Sequence, residues 1–225
     1  MRAGYLALAA AFAVLASPGA SRAFAGTVEG SVSLTPADLA IRDNSKPNPY
    51  VGQLSASAGT AAAVAAGDSS YGVAWVSDST PAPGAPPAPA RMDQLGQKFV
   101  PRILVIVAGQ TVEFHNSDNV YHNIFSYSPP KKFDLGRYPR GKSRSVTFAK
   151  AGAVQVYCDI HSDMRGDIIV VPSGRFGMIG PSGRFRIGDV APGAHTIKVW
   201  LASGERSATV EVPQQGVALL PTLMP

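Results

Sequence analysis

The chain has 225 residues and 20 Lys plus Arg against 15 Asp plus Glu, a net charge of +5. That mild excess, without a long Lys/Arg run or an interleaved aromatic-and-basic motif, gives no support to a nucleic-acid binder. One cysteine, Cys158, excludes an internal disulfide framework and leaves too few thiolates for an iron–sulfur cluster.

The N-terminus reads as an export signal. Arg2 precedes an apolar run from Tyr5 to Leu15, and Ala23-Phe24-Ala25 is a small-residue cleavage site before Gly26. The run is shorter than the roughly 18 apolar residues of a membrane span, so the expected product is a periplasmic or otherwise exported chain without stable membrane insertion. A retained anchor is the competing reading. Cleavage after residue 25 would leave a net charge of about +3.

Nearly all later periodicity is of strand type. Val28, Gly30, Val32 and Leu34 alternate with polar residues, as in a half-buried strand. Residues 43–70 are rich in Ala, Gly and Ser and read as a loop, although Ala56–Ala66 has helical composition. Tyr71–Ser77 is a strand with Val73 and Trp75 on one face. Five prolines between Ser79 and Ala90 make a linker.

Strand patterns follow at Phe99–Val107, Thr111–His115 (Val112 and Phe114 together), Asn123–Tyr127, Ser143–Ala149, Val154–Cys158 and Asp167–Val171. A loop from Ser128 to Lys142 interrupts them. Gly183–Trp200 gives two strands about a Pro-Gly turn, and Ser207–Val212 a third. Three strands alone bury too little to be stable, and the strands near Val28 and Tyr71 also lack partners. The expected organisation is therefore a sandwich built from both chain ends, residues 26–78 and 173–213. Residues 91–172 are inserted in it, and 214–225 form a tail.

Chemistry concentrates in Tyr157-Cys158-Asp-Ile-His161-Ser-Asp-Met164, with His122 upstream after the Asn116-Ser-Asp118 turn. Thiolate and thioether sulfur suit copper(I), and imidazole serves both copper oxidation states. A trigonal His-His-Cys set with a weak axial Met is an electron-transfer copper site. Zinc is disfavoured because a thioether binds it poorly and no second Cys is present. His115 alternates with Phe114 and reads as a surface histidine; His195 reads as structural. Met92, Met178 and Met224 are scattered, unlike a methionine-rich copper carrier.

At these residues the chain resembles the cupredoxins, the plastocyanin and amicyanin family. Thr111-Val-Glu-Phe-His-Asn116-Ser-Asp118-Asn-Val-Tyr-His122-Asn123 resembles their strand leading to the first histidine ligand. Tyr157–Met164 resembles their ligand loop, with amicyanin spacing. Met92–Arg102 and Phe133–Gly141 resemble a methylamine-utilisation-like subgroup. Gly183–Trp200 resembles the carboxypeptidase regulatory-like, prealbumin-type sandwich. The implied fold class is all-β, a cupredoxin Greek-key β-sandwich plus a second, smaller β-sandwich.

The resemblance implies one type I copper ion on His122, Cys158, His161 and Met164. It also implies that Asn123 ties the first histidine to the cysteine loop and that His161 is the exposed electron port. Ser162-Asp163 departs from the more apolar loops of many relatives and bears on tuning of the site. Lys131, Lys132, Arg137, Arg140, Lys142 and Arg144 read either as a solvated loop or as a docking patch for an acidic redox partner. The expected function is carriage of single electrons between redox proteins, without enzymatic turnover. The alternatives are periplasmic copper storage or delivery, and a β-sandwich interaction module in which copper is incidental.

Overall fold

The computed structural model describes residues 25–40, 70–80 and 87–225. The expected export signal, the alanine-rich stretch 56–66 and residues 81–86 of the proline linker lie outside the described residues. No helix among the described residues is long and apolar enough to cross a membrane.

The expected fold class holds: one short helix aside, the regular elements are strands, and these form a larger and a smaller sandwich. In chain order, β1 (Gly26–Ser31), α1 (Pro36–Ala40) and β2 (Gly72–Val76) come first. There follow β3 (Ala90–Gln94), β4 (Phe99–Val100), β5 (Ile103–Val107), β6 (Thr111–Asn116), β7 (Phe125–Ser126), β8 (Phe133–Asp134), β9 (Ser143–Thr147), β10 (Gly152–Tyr157) and β11 (Arg165–Val171). The last group is β12 (Phe176–Ile179), β13 (Arg184–Val190), β14 (Gly193–Leu201), β15 (Gly204–Val212) and β16 (Val217–Leu219).

The larger sandwich packs the sheet β5-β11-β10-β7-β8 on the sheet β4-β3-β6-β9. Alternation does the sorting: Val112 and Phe114 of β6 and Val154 and Val156 of β10 point into one core with Leu104, Ile106, Phe148 and Ile168. The run Phe99–Val107, expected as one strand, is split. Pro101 has no N–H to continue a ladder, and there the chain leaves β3 to pair with β11 in the opposite sheet. The residues after the proline run also form a strand, β3, parallel to β6.

The smaller sandwich packs β13-β1-β16 on β12-β2-β14-β15. β1 pairs with β13 and β16, and β2 with β12 and β14, so both chain ends share one core of Val28, Ala74, Val76, Ile187, Ile197 and Val199. Within the stretch expected as a tail, Val217–Leu219 forms β16 parallel to β1.

A third cluster joins the two sandwiches. Val73 and Trp75 of β2 and Trp200 of β14 pack on Ile103 and Val105 of β5 and on Ile169 and Val171 of β11. This accounts for the unbroken apolar runs Gly72-Val-Ala-Trp-Val, Ile103-Leu-Val-Ile-Val and Ile168-Ile-Val-Val171. Strands covered on both faces have no need of alternation. Trp75→Ala should cost about 3–5 kcal/mol of stability in urea denaturation followed by circular dichroism. A loss under about 1 kcal/mol would show that this seam contributes little.

The N-terminal helix is fastened to the far end of the chain by one buried carboxylate. Thr35 caps α1: its N–H and hydroxyl donate to Asp38 Oδ2, each at 2.8 Å, and the Asp38 N–H donates back to the hydroxyl at 3.3 Å. The Ser203 N–H and hydroxyl, in the β14–β15 turn, donate to the same carboxylate at 2.8 and 3.0 Å. Burial opposes ionisation of Asp38, but these four donors outweigh it and hold its pKa below the usual value. A carboxyl depressed on folding stabilises above its unfolded pKa and loses that contribution as pH falls through the folded value. Asp38→Asn should therefore cost about 1.5–3 kcal/mol at pH 7. The gap from wild type should shrink when urea denaturation is repeated near pH 3; an equal gap at both pH values would refute the ionic clasp.

Candidate metal centre

Three segments meet at one end of the larger sandwich. The first is the turn after β6. Asn116 is fully buried, its Nδ2 donates to the carbonyls of Val120 and Tyr138 at 2.9 and 3.0 Å, and its Oδ1 accepts the Asp118 N–H at 2.9 Å. This side chain replaces the ladder that the chain has just left and shapes the turn. His122 follows, held by a backbone bridge to Tyr138.

The second segment is the loop between β10 and β11. Tyr157 pairs with Arg165, so the residues between them must return on themselves. Cys158 N–H donates to the Met164 carbonyl at 3.2 Å, and Met164 N–H to the His161 carbonyl at 3.0 Å. Those two bonds draw Cys158, His161 and Met164 into one compact loop.

The donor atoms converge. Cys158 Sγ lies 3.8 Å from Nδ1 of His122 and 3.8 Å from Nδ1 of His161, and the two nitrogens are 3.1 Å apart. A point equidistant from the three atoms lies about 2.1 Å from each, close to the roughly 2.0–2.3 Å of metal bonds to imidazole nitrogen and thiolate sulfur. His122 is fully buried, Cys158 is 5% exposed, and His161 reaches the surface in part. Met164, 1% exposed, ends the loop. Three lone-pair donors facing one another in a buried space require a proton or a cation between them, so the residues fit a metal ion. Among the described residues this is the one group of His, Cys, Asp or Glu side chains so arranged.

The surroundings favour the charged forms. Burial pushes the Cys158 thiol up, but the His122 ring and the N–H groups of Asn123, Ile160 and His161 outweigh it and bring its pKa down to about 6. Burial likewise opposes protonation of His122, yet Cys158 and Asp118 beside it leave its pKa raised.

Asn123 links the two segments, its Oδ1 accepting the Asp159 N–H at 2.7 Å. Arg137 pairs with Asp159 at 3.0 Å across the same junction.

The third segment, absent from the sequence-based site, is the β3–β4 turn. Asp118 Oδ2 accepts from His122 Nε2 at 2.8 Å, and its two oxygens also accept the N–H groups of Gly96 and Gln97. Its one sequence signal was an acid four residues before a candidate histidine.

The other histidines are elsewhere. His115 bonds Ser143 Oγ at 2.9 Å across β6 and β9, and His195 bonds Asp78 and the Ala191 carbonyl.

The six basic residues do not form one patch. Ser128 Oγ accepts the Gln155 N–H, and Pro130 lies against Gly152, so Lys131 and Lys132 sit at the end of β10 opposite Cys158. Arg140 bonds Asn119 beside the centre. Arg144 bonds the Leu135 carbonyl and lies over the Tyr138 ring, and Lys142 is exposed.

No protein-family model matches the chain, and no curated protein matches it either. Solved structures do show local likeness. A copper-containing nitrite reductase from Thermus scotoductus SA-01 aligns at 29% identity and a TM-score of 0.36, over 41% of this chain and 24% of its own. The chain thus spans about a quarter of that protein's length. A point mutant of amicyanin in its Cu(I) form aligns at 22% identity and 0.35, over 37% of this chain and 82% of its own. A purple cupredoxin from Nitrosopumilus maritimus aligns at 26% identity and 0.33, over 36% and 98%.

Proposed function

We propose that this chain is an exported copper protein that carries single electrons between redox partners. The observation that carries the reading is the triangle of His122 Nδ1, His161 Nδ1 and Cys158 Sγ, with sides of 3.8, 3.8 and 3.1 Å. Two imidazoles and one thiolate facing one another, with a buried thioether on the same loop, are the donor set for copper rather than zinc. His122, Cys158 and His161 would hold the ion, and Met164 would be the weak fourth donor. A bound copper ion would supply one-electron chemistry by alternating between Cu(I) and Cu(II).

The residues contribute rigidity and access. The backbone bonds that close the 158–164 loop, and the Asn123 bridge to Asp159, keep the donors in place whatever the charge at the centre. A site that moves little between charge states has little to reorganise. His161 is the donor that reaches solvent, which supports it as the port for electron exchange. Exposed Val120, Tyr121 and Ile160 stand beside the two histidines in the chain. Of the basic residues, Arg137 and Arg140 are near enough to the centre to guide an acidic partner to it, whereas Lys131 and Lys132 are not. Turnover of a substrate forms no part of this reading.

The test is an optical and EPR spectrum of copper-loaded protein, oxidised and then reduced. An intense thiolate-to-copper band in the red, with narrow hyperfine splitting and reversible bleaching, is the expected result. Cys158→Ala should abolish that band, while His115→Ala should leave it unchanged. Colour that survives loss of Cys158 would sink the assignment, and copper bound without the band would favour storage or delivery.

A further inference from the structure

Resting on the reading of His122 as a donor through Nδ1, we propose that Asp118 is a positioning residue that orients the His122 ring, with the β3–β4 turn as its anchor. Gly96 and Gln97 in that turn both adopt left-handed backbone, with φ of 63° and 55°, which turns two successive N–H groups towards one point. Such a concavity takes an anionic oxygen. Asp118 fills it, accepting from Gly96 at 2.6 Å through Oδ1 and from Gln97 at 2.8 Å through Oδ2.

A carboxylate so held can only accept, and the third group directed at it is His122 Nε2 at 2.8 Å, so that nitrogen carries a hydrogen. The other ring nitrogen, Nδ1, is then the one that faces Cys158 Sγ and His161 Nδ1 and can offer its lone pair to an ion. The ring is fully buried and the Asp118 side chain only 12% exposed, so water cannot readily substitute for the carboxylate. A ring held at both nitrogens has neither its tautomer nor its rotation free, which is how a carboxylate behind a histidine raises metal affinity. The turn at residues 96–97 thereby becomes part of the centre, although it carries no donor atom of its own.

The experiment compares wild type, Asp118→Asn and Ser117→Ala. Ser117 bonds the Asp93 carboxylate in the same loop and makes no bond to His122, so its variant controls for simple loosening. In metal-free wild type, 15N-edited NMR should show the His122 Nε2 proton far downfield and slow to exchange. Asp118→Asn should move or abolish that signal and weaken copper(I) binding in a chelator competition by about 10–100-fold. Ser117→Ala should change neither. An unchanged signal and affinity in Asp118→Asn would overturn the proposal, as would an equal loss in Ser117→Ala. If the proton signal responds as stated but wild type binds no copper, the positioning of the ring stands and the copper reading fails.

Discussion

Strand β11 has almost no face left for solvent, and that constraint organises the molecule. Ile168 and Val170 fill the larger core, while Ile169 and Val171 face the seam with the smaller sandwich. On its edges it pairs with β5 and β10. Its first residue closes the loop that carries Cys158, His161 and Met164. One strand therefore closes the loop of Cys158, His161 and Met164 at its start and meets the second sandwich along one face. Burial near such a strand is costly when polar. Asp167, on β11, is 4% exposed, and burial lifts its pKa even though Arg102 lies 3.2 Å away.

Much of this was legible from residue pattern and some was not, for physical reasons. Alternation in Thr111-Val-Glu-Phe-His-Asn116 identifies a half-buried strand directly. The unbroken runs at Gly72–Val76 and Ile103–Val107 also read as strands, but composition does not reveal what covers their second face. Strand β3 escaped notice because Asp93 and Gln94 are buried polar residues, which disguise its inward face. Val217–Leu219 is too short to carry a period, and only its pairing with β1 makes it a strand.

The donor group shows the same division. Cys158 and His161 are local to one loop, so spacing alone brings them into consideration. Asp118 depends on a turn more than twenty residues upstream, and a pattern search along one segment cannot see the N–H groups that hold it. The basic residues show the opposite relation. They are close in sequence, yet the chain reverses at Ser128–Lys132, which carries Lys131 and Lys132 towards Gly152, the end of β10 away from Cys158.

How the centre is held bears on what it is for. A delivery protein must release its ion to a competing partner, which calls for donors on a segment free to open. Here His122 is gripped from behind by Asp118, Cys158 and Met164 are bonded to each other through the backbone, and Asn123 spans the gap between the two segments. Each grip uses protein groups and is independent of an ion. On the proposed reading, donors held in this way resist rearrangement. That arrangement supports the proposed reading of a centre that changes its charge rather than releasing an ion, with the partly exposed His161 as a side open to a partner.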